Sequence, residues 1–308
     1  MNAPGGRQPR KRGLPRPKSP WVADIRSQGD LFGCVVMLAN EFIETERVNG
    51  QDLQIWLKAP RSRRARPKMT RHLGTGFLLA CDDRVFLVTA RHVARRMGPR
   101  ARMLFTGRGG AARVVALARL VGRRGAGIGW THHPTADVSV ARVVHAPGRL
   151  RGRFLPAAML PAKTVAPSGT VDLLVVGFPL GIINPRNLTP IAKRMHAASG
   201  VLQFCGDEMS RPAVFFLLDQ PTMAGYSGAP VLIVQQPGRN SVPVTPLAMQ
   251  CVGLVSQTIS DEGGAQFAAV VPGAVIRRMV LKGSRARAGA LAPEPRLAGR
   301  RRGSQERE

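Results

Sequence analysis

Short apolar runs recur along this chain, separated by glycine, proline and charged residues, and each run has the length of a β-strand. They fall into two series on either side of a stretch rich in proline and glycine at 145–169. The first series is 73–80, 85–89, 102–106, 114–120 and 138–144. The second series is 171–176, 199–204, 213–218, 230–234, 251–256 and 266–271. This spacing favours an all-β fold of two six-stranded antiparallel β-barrels over alternating βαβ units.

The pattern changes toward the N-terminus. Prolines interrupt every helical window in residues 1–20, which predicts a disordered basic arm. Between Asp30 and Arg47 the apolar spacing fits an amphipathic helix better than a strand, and residues 21–50 are assigned to an N-terminal extension of unknown role. Alternation across 53–57 then predicts the first strand of the main domain.

The main domain is predicted to cover residues 51–281. Its N-terminal barrel reaches to about 147 and its C-terminal barrel begins at about 165, where the two series of strands divide. Helical spacing of apolar residues across 272–281 predicts a short closing helix. Residues 282–308 have the composition of a second disordered basic tail.

The chain is strongly basic, with 46 Lys and Arg residues against 18 Asp and Glu residues, a formal net charge of +28. Much of this excess lies in residues 1–20, 61–72 and 282–308. Such segments can attract nucleic acid or an anionic surface through charge alone. Solvated tails have the same composition, and no nucleic-acid-binding motif with interleaved aromatic residues is present. Nucleic acid or an anionic surface is therefore retained only as an alternative partner of the basic arms.

The cysteines and the apolar runs argue against a metal-binding protein and against a membrane-spanning protein. Cys34, Cys81, Cys205 and Cys251 are widely separated and form no CxxC pair, so free thiols are expected and no metal site is predicted. No apolar run approaches the roughly 20 residues that a transmembrane helix needs, and the first twenty residues lack the apolar core of a signal peptide. These observations predict a cytoplasmic protein without a transmembrane segment.

Three motifs carry candidate chemistry. They are FLVTARHV at 86–93, HHPTADVSV at 132–140 and GYSGAPV at 225–231. A serine hydroxyl needs a neighbouring base to become a nucleophile, and a carboxylate can orient that base. His92, Asp137 and Ser227 supply these parts in this order, whereas His132 and His133 are expected on a loop with no chemical role. The backbone N–H groups of Gly225 and Ser227 are candidates for an oxyanion hole.

These motifs resemble those of the trypsin-like peptidase family of the chymotrypsin clan, in its bacterial-type branch without a PDZ domain. TARH at 89–92 is similar to the family's Thr-Ala-Ala-His, and GYSGAP at 225–230 is similar to its Gly-Asp/Asn-Ser-Gly-Gly-Pro. The resemblance covers about residues 70–281 and includes GTGF at 74–77 and GLVS at 253–256. It implies a serine endopeptidase that forms an acyl-enzyme on Ser227, acts on protein or peptide substrates and needs no cofactor.

The resemblance also implies where the substrate side chain is bound. One wall of the primary specificity pocket would be Pro221 and Thr222, and the other would be Ser256, Gln257 and Thr258. None of these residues is acidic, so a buried Arg or Lys of the substrate would lack a partner. Cleavage after small or medium uncharged residues is therefore expected.

The main alternative is a different class of function. The same fold could serve as a binding module whose basic arms engage nucleic acid or an acidic partner, without turnover. Reaction with a serine-directed phosphonate distinguishes the two, because only an activated serine is modified.

Overall fold

A computed structural model describes residues 23, 28–40, 72–107, 110–125, 127–181, 188–205, 211–234, 249–260, 264 and 266–285. The strand expected at 53–57, the arm at 1–20 and the tail beyond residue 285 lie outside the described residues. Two β-sheets make up most of the described chain.

The first sheet is built from the N-terminal part of the chain. The first ten strands are β1 (Val35–Asn40), β2 (His72–Cys81), β3 (Arg84–Thr89), β4 (Arg102–Thr106), β5 (Ala112–Ala116), β6 (Arg123–Arg124), β7 (Gly127–Ile128), β8 (Trp130–His132), β9 (Ser139–Arg142) and β10 (Leu155–Pro156). Eight of them form a sheet in the order β5-β4-β1-β2-β3-β9-β8, antiparallel throughout, with β10 added in parallel to β2. The strands β6 and β7 form a separate ribbon.

The second sheet has seven strands, all antiparallel. They are β11 (Leu173–Gly177), β12 (Ile191–Met195), β13 (Leu202–Phe204), β14 (Ala213–Leu218), β15 (Pro230–Val234), β16 (Met249–Ser260) and β17 (Gln266–Pro272). Their order is β12-β11-β15-β16-β17-β14-β13. The pairing of β16 with β17 shifts register between Val255 and Gln257, so that Ser256 lies in a β-bulge. The prediction of an all-β fold with two barrel-like sheets is confirmed.

Helices are short and few in the described ranges. They are α1 (Gln28–Phe32), α2 (Arg91–Arg96), α3 (Leu117–Val121) and α4 (Gly273–Arg285), with 3₁₀ turns at Gly148–Leu150, Ala157–Met159 and Pro179–Gly181. The predicted closing helix is present as α4, but it continues to Arg285, past the expected start of the tail. A hydrogen bond from Arg84 Nη1 to the Gly283 carbonyl (3.0 Å) holds this last turn on the first sheet. None of these helices combines the length and the apolar character required to cross a bilayer.

The N-terminal extension differs most from its prediction. Instead of one helix beginning at Asp30, the structure has α1 followed by β1, which lies between β2 and β4 inside the first sheet. Val35 to Ala39 are fully buried, so both faces of the strand are covered and no polar alternation marks it. Residues 35–40 therefore belong to the first sheet and not to an extension outside it.

Two further elements differ from the strands expected from sequence. The run 114–120 is divided, since β5 ends at Ala116 and α3 follows it. Leu117, Leu120 and Val121 are the buried residues of α3, and their spacing is helical. Strand β12 was not predicted, because two basic residues, Lys193 and Arg194, interrupt its apolar pattern.

The buried residues form two clusters. The larger extends through the first sheet to one side of the second, and the smaller lies within the second sheet, where Val175, Met195, Phe216 and Tyr226 are fully or almost fully buried. All four cysteines are free thiols. Burial raises the pKa values of Cys34 and Cys251 to about 12, which makes both inert as nucleophiles at neutral pH.

Candidate active site

His92 and Asp137 meet at one edge of the first sheet. His92 lies in the first turn of α2, just after β3 ends, and Asp137 lies just before β9 begins. Strands β3 and β9 are paired with Thr89 opposite Ser139, which brings the end of one beside the start of the other. The His92 Nδ1 atom is 2.8 Å from Asp137 Oδ2, and the His92 backbone N–H donates to Oδ1 (2.9 Å).

The carboxylate of Asp137 also caps helix α2. The residue that precedes the helix, Ala90, offers no side-chain acceptor to its free N–H groups. Asp137 Oδ1 satisfies the N–H of His92 while Oδ2 contacts the ring of the same residue. One carboxylate therefore fixes both the backbone and the imidazole of His92.

A buried serine holds the other side of Asp137. Ser256 Oγ donates to Asp137 Oδ2 (2.6 Å), and Ser256 itself is fully buried. Burial alone would raise the pKa of Asp137, but the hydrogen bonds from His92 and Ser256 outweigh it and lower this pKa below its ordinary value. An ionised carboxylate can only accept, so the Nδ1 atom of His92 carries the proton of this hydrogen bond.

Asp137 should make the stability of the protein depend on acid pH. A carboxylate whose pKa is lowered by folding stabilises the folded state at every pH above the ordinary pKa of 3.8. This stabilisation is lost as the pH falls through the lower pKa of the folded state. Urea unfolding of wild type and Asp137→Asn from pH 2 to 4.5 should show a free-energy difference that shrinks as the pH falls below 3.8. A difference that grows over this range would contradict the lowered pKa of Asp137.

Ser256→Ala tests the positioning role of the hydroxyl. Removing one of the donors to a buried carboxylate should lower the free energy of unfolding by about 1–3 kcal/mol. The rate at which a serine-directed phosphonate labels Ser227 should fall by roughly tenfold to a hundredfold through misplacement of the Asp137–His92 pair. Ser168→Ala, at an exposed serine, is the matched control and should change neither quantity. An unchanged labelling rate in Ser256→Ala would remove this residue from the site.

The two histidines before Asp137 shape the turn that presents it. The His133 Nδ1 atom accepts hydrogen bonds from the backbone N–H groups of Ala136 (2.9 Å) and Thr135 (3.2 Å). Burial, with nearby arginines, lowers the pKa values of both His132 and His133, so both remain neutral near pH 7. His132 ends β8 instead of lying in a loop, and its Nδ1 atom is 2.6 Å from Ser139 Oγ. Both histidines have structural partners.

Ser227 lies in a tight turn ahead of β15. Within the turn, the Tyr226 N–H donates to the Met223 carbonyl (3.1 Å) and the Ala229 N–H donates to the Tyr226 carbonyl (2.8 Å). Tyr226 is 1% exposed, so it anchors the turn in the core of the second sheet. Ser227 is half-buried, which leaves part of the residue open to solvent.

Backbone hydrogen bonds fasten this turn to both sheets. The Gly228 N–H donates to the Val255 carbonyl (2.7 Å), next to the bulge that carries Ser256. The Ser227 carbonyl accepts from the N–H of Thr75 (2.9 Å), which belongs to β2 of the first sheet. The turn is therefore held in place from two directions.

Thr75 is a buried residue that connects several elements of the site, and its role was not predicted from the sequence. Its hydroxyl donates to the Gly225 carbonyl (2.6 Å) and accepts from the Phe178 N–H (3.0 Å), while its carbonyl accepts from Thr89 Oγ1 (2.6 Å). It thus links the serine turn, the end of β11 and the strand that leads to His92. The glycines on both sides of Thr75 could have indicated this position in the sequence, because glycine allows other segments to approach the strand closely.

The turn also provides two free backbone donors. Among the described residues, no acceptor is found for the N–H groups of Gly225 and Ser227, whereas Tyr226, Gly228 and Ala229 all donate. Gly225 has a φ of +100°, a conformation that favours glycine. These are the two donors expected from sequence to form an oxyanion hole.

Close packing brings the serine turn against the histidine strand. A Cβ atom added to Gly228 would lie 2.4 Å from Thr89 Oγ1 and 3.0 Å from the backbone nitrogen of Ala90. Gly228 follows Ser227, and Ala90 stands two residues before His92. The structure therefore gathers the three sequence motifs at the junction of the two sheets.

The residues expected to form a specificity pocket are only partly together. Thr258 Oγ1 donates to the Thr222 carbonyl (2.8 Å) and accepts from the Thr222 N–H (3.2 Å), so these two segments do lie side by side, with Pro221 and Gln257 half-buried next to them. Ser256 differs from its expected role as a pocket wall. The bulge turns its hydroxyl toward Asp137 instead.

The chain matches one family of known proteins in sequence. A family model described as a trypsin-like peptidase domain matches residues 74–237, just over half of the chain. None of the curated proteins compared with the chain is significantly similar to it in sequence.

Solved structures that align with the chain include two from animals. A human heparin binding protein aligns with a TM-score of 0.48 and 11% identity, over 89% of this chain and 99% of its own. A scabies mite inactivated protease paralogue, S-I1, aligns with a TM-score of 0.48 and 12% identity, over 84% of this chain and 99% of its own.

Proposed function

The chain belongs to the trypsin-like peptidase family, and we propose that it is a serine endopeptidase that forms an acyl-enzyme on Ser227. In this proposal His92 is the general base and Asp137 orients it. The observation that carries the proposal is the His92–Asp137 pair, held at 2.8 Å, together with the packing of the Ser227 turn against the end of the strand that leads to His92. Protein or peptide substrates follow from the family.

The reaction would begin at the unprotonated Nε2 atom of His92. This nitrogen takes the proton from Ser227 Oγ as the oxygen bonds to the carbonyl carbon of the substrate. The carbonyl oxygen becomes negatively charged and accepts hydrogen bonds from the N–H groups of Gly225 and Ser227. His92 then gives its proton to the leaving amine, and the C–N bond breaks to leave an ester on Ser227.

Water completes the cycle by the same route. His92 Nε2 takes a proton from water as the hydroxide attacks the ester carbonyl, and the proton is then returned to Ser227 Oγ as the acid product leaves. Asp137 stays ionised throughout, because its hydrogen bonds stabilise the charged form. Its role is to hold the tautomer of His92 and to stabilise the imidazolium that forms twice in each cycle.

Covalent labelling tests this proposal directly. A fluorophosphonate should modify wild-type protein at Ser227 and should not modify Ser227→Ala, because only a serine beside a base is nucleophilic at neutral pH. Ser168→Ala removes an exposed serine and should be labelled like wild type. Peptide mapping identifies the modified residue. Failure of the folded wild-type protein to react would favour the binding module over the peptidase.

A further inference from the structure

Lys193 occupies an unusual position for a lysine. It lies in the middle of β12, opposite Val175 of β11, on the same face of the strand as Met195. Met195 and Val175 are fully buried in the core of the second sheet. The lysine side chain therefore leaves the strand on the face that covers this core, and it is itself half-buried.

The ammonium group ends beside the segment that precedes the nucleophile. Lys193 Nζ donates to the Pro221 carbonyl (2.8 Å), and Pro221 is followed directly by Thr222. The hydroxyls of Thr222 and Thr258 are 3.2 Å apart, which ties this segment to β16. The ammonium therefore lies against the residue that precedes Thr222, next to the place where the two expected walls of the specificity pocket are joined.

The positive charge of Lys193 stands apart from the carboxylates of the described residues. Within the described ranges no Asp or Glu oxygen lies within ion-pair distance of Lys193, and the acids near the neighbouring strands, Asp172 and Asp219, both contact His196. A carbonyl uses only one of the three N–H groups of an ammonium. A half-buried cation without a counter-charge is unfavourable, and an incoming carboxylate would both neutralise it and accept its remaining donors.

We propose that Lys193 determines substrate specificity by binding the side-chain carboxylate of the residue before the cleaved bond. The peptidase then cleaves after Glu or Asp. This inference rests on the proposed peptidase function. It replaces the preference for uncharged residues, which considered only the two pocket walls and not the strand behind them.

Peptides that differ only at the residue before the cleaved bond test the inference. Glu and Gln have the same shape, so the ratio of their kcat/KM values isolates the charge. Wild type should prefer Glu over Gln by roughly tenfold or more. Lys193→Met should bring this ratio close to one by slowing cleavage after Glu while cleavage after Gln changes little. Lys193→Arg should keep a preference for Glu.

The adjacent Arg194 supplies a matched control. It carries the same charge one residue along β12, but its side chain is exposed and points to the opposite face, toward Asp172. Arg194→Met should leave the Glu to Gln ratio unchanged. An equal loss of preference in Arg194→Met and Lys193→Met would indicate a general effect of surface charge and would overturn the assignment.

The outcomes also separate this inference from the proposed function. If wild type reacts with the phosphonate and hydrolyses peptides, but its Glu to Gln ratio is near one, the specificity inference fails and the peptidase stands. If wild type neither reacts nor hydrolyses any peptide, the peptidase function fails. If circular dichroism shows that Lys193→Met does not fold, two other measurements decide the question. One is the ratio of kcat/KM for Glu and Gln peptides in the wild type. The other is Lys193→Glu, which should cleave after Lys in preference to Glu.

Discussion

Ser227→Ala and His92→Ala should each reduce peptide hydrolysis by roughly 10⁴-fold or more, because the nucleophile and its base act as a unit. Asp137→Asn should reduce it by a similar or somewhat smaller factor, since an amide would favour the wrong tautomer of His92. Steady-state kcat/KM on one peptide, with the melting temperature of each variant, measures both effects. Thermal stability should be retained in Ser227→Ala, whose side chain is only partly buried.

A second His–Asp pair in the same chain provides the control. The backbone N–H of His196 donates to Asp219 Oδ1 (2.9 Å), and His196 Nδ1 is 3.2 Å from Asp219 Oδ2, which repeats the contacts between His92 and Asp137. This pair is exposed, and the Nε2 atom of His196 contacts a second carboxylate, Asp172 (3.1 Å). His196→Ala should therefore retain full activity. Turnover above a tenth of wild type in His92→Ala would show that the base has been wrongly assigned.

Gly228→Ala should impair both stability and activity. A methyl group at this position would lie 2.1 Å from the Thr75 carbonyl oxygen, and a φ of +87° is unfavourable for alanine. Backbone at such a distance must move, so the free energy of unfolding should fall by about 3 kcal/mol or more. The displaced turn would also move Ser227 away from His92, and activity should be lost even in the fraction that folds.

Urea unfolding and peptide hydrolysis measure these two losses. Gly200→Ala is the matched control, because no atom lies within 4 Å of the added methyl group and the φ of Gly200 is not in the left-handed region. It should be close to neutral in both assays. Near-normal stability in Gly228→Ala would mean that the turn has more freedom than its packing against Thr75 and Thr89 implies.

The parts of the site that are local in sequence could be predicted. The apolar strand before His92, the alternation after Asp137 and the glycines around Ser227 each mark a turn at a strand end, and their order suggested that they meet. The two barrel-like sheets followed from the spacing of apolar runs. Both inferences depend on patterns only a few residues long, and such patterns can be recognised in a single sequence.

Other features depend on contacts between distant residues. Strand β1 is buried on both faces, so its apolar run has no alternation that distinguishes a strand from a helix. Ser256 reaches Asp137 only because a bulge shifts the register of β16, and a one-residue shift changes which face a side chain occupies. The position of Lys193 beside Pro221 likewise depends on how two strands of the second sheet pack, which composition does not reveal.

Thr75 makes the serine turn of the second sheet depend on the first sheet. The serine turn depends on hydrogen bonds from a threonine that precedes it by 150 residues and lies in the other sheet. In the proposed peptidase, a chain that has folded only its first sheet would have no nucleophile, and one that has folded only its second sheet would lack both the histidine and the support for the turn. Hydrolysis would therefore require both sheets to be formed and docked.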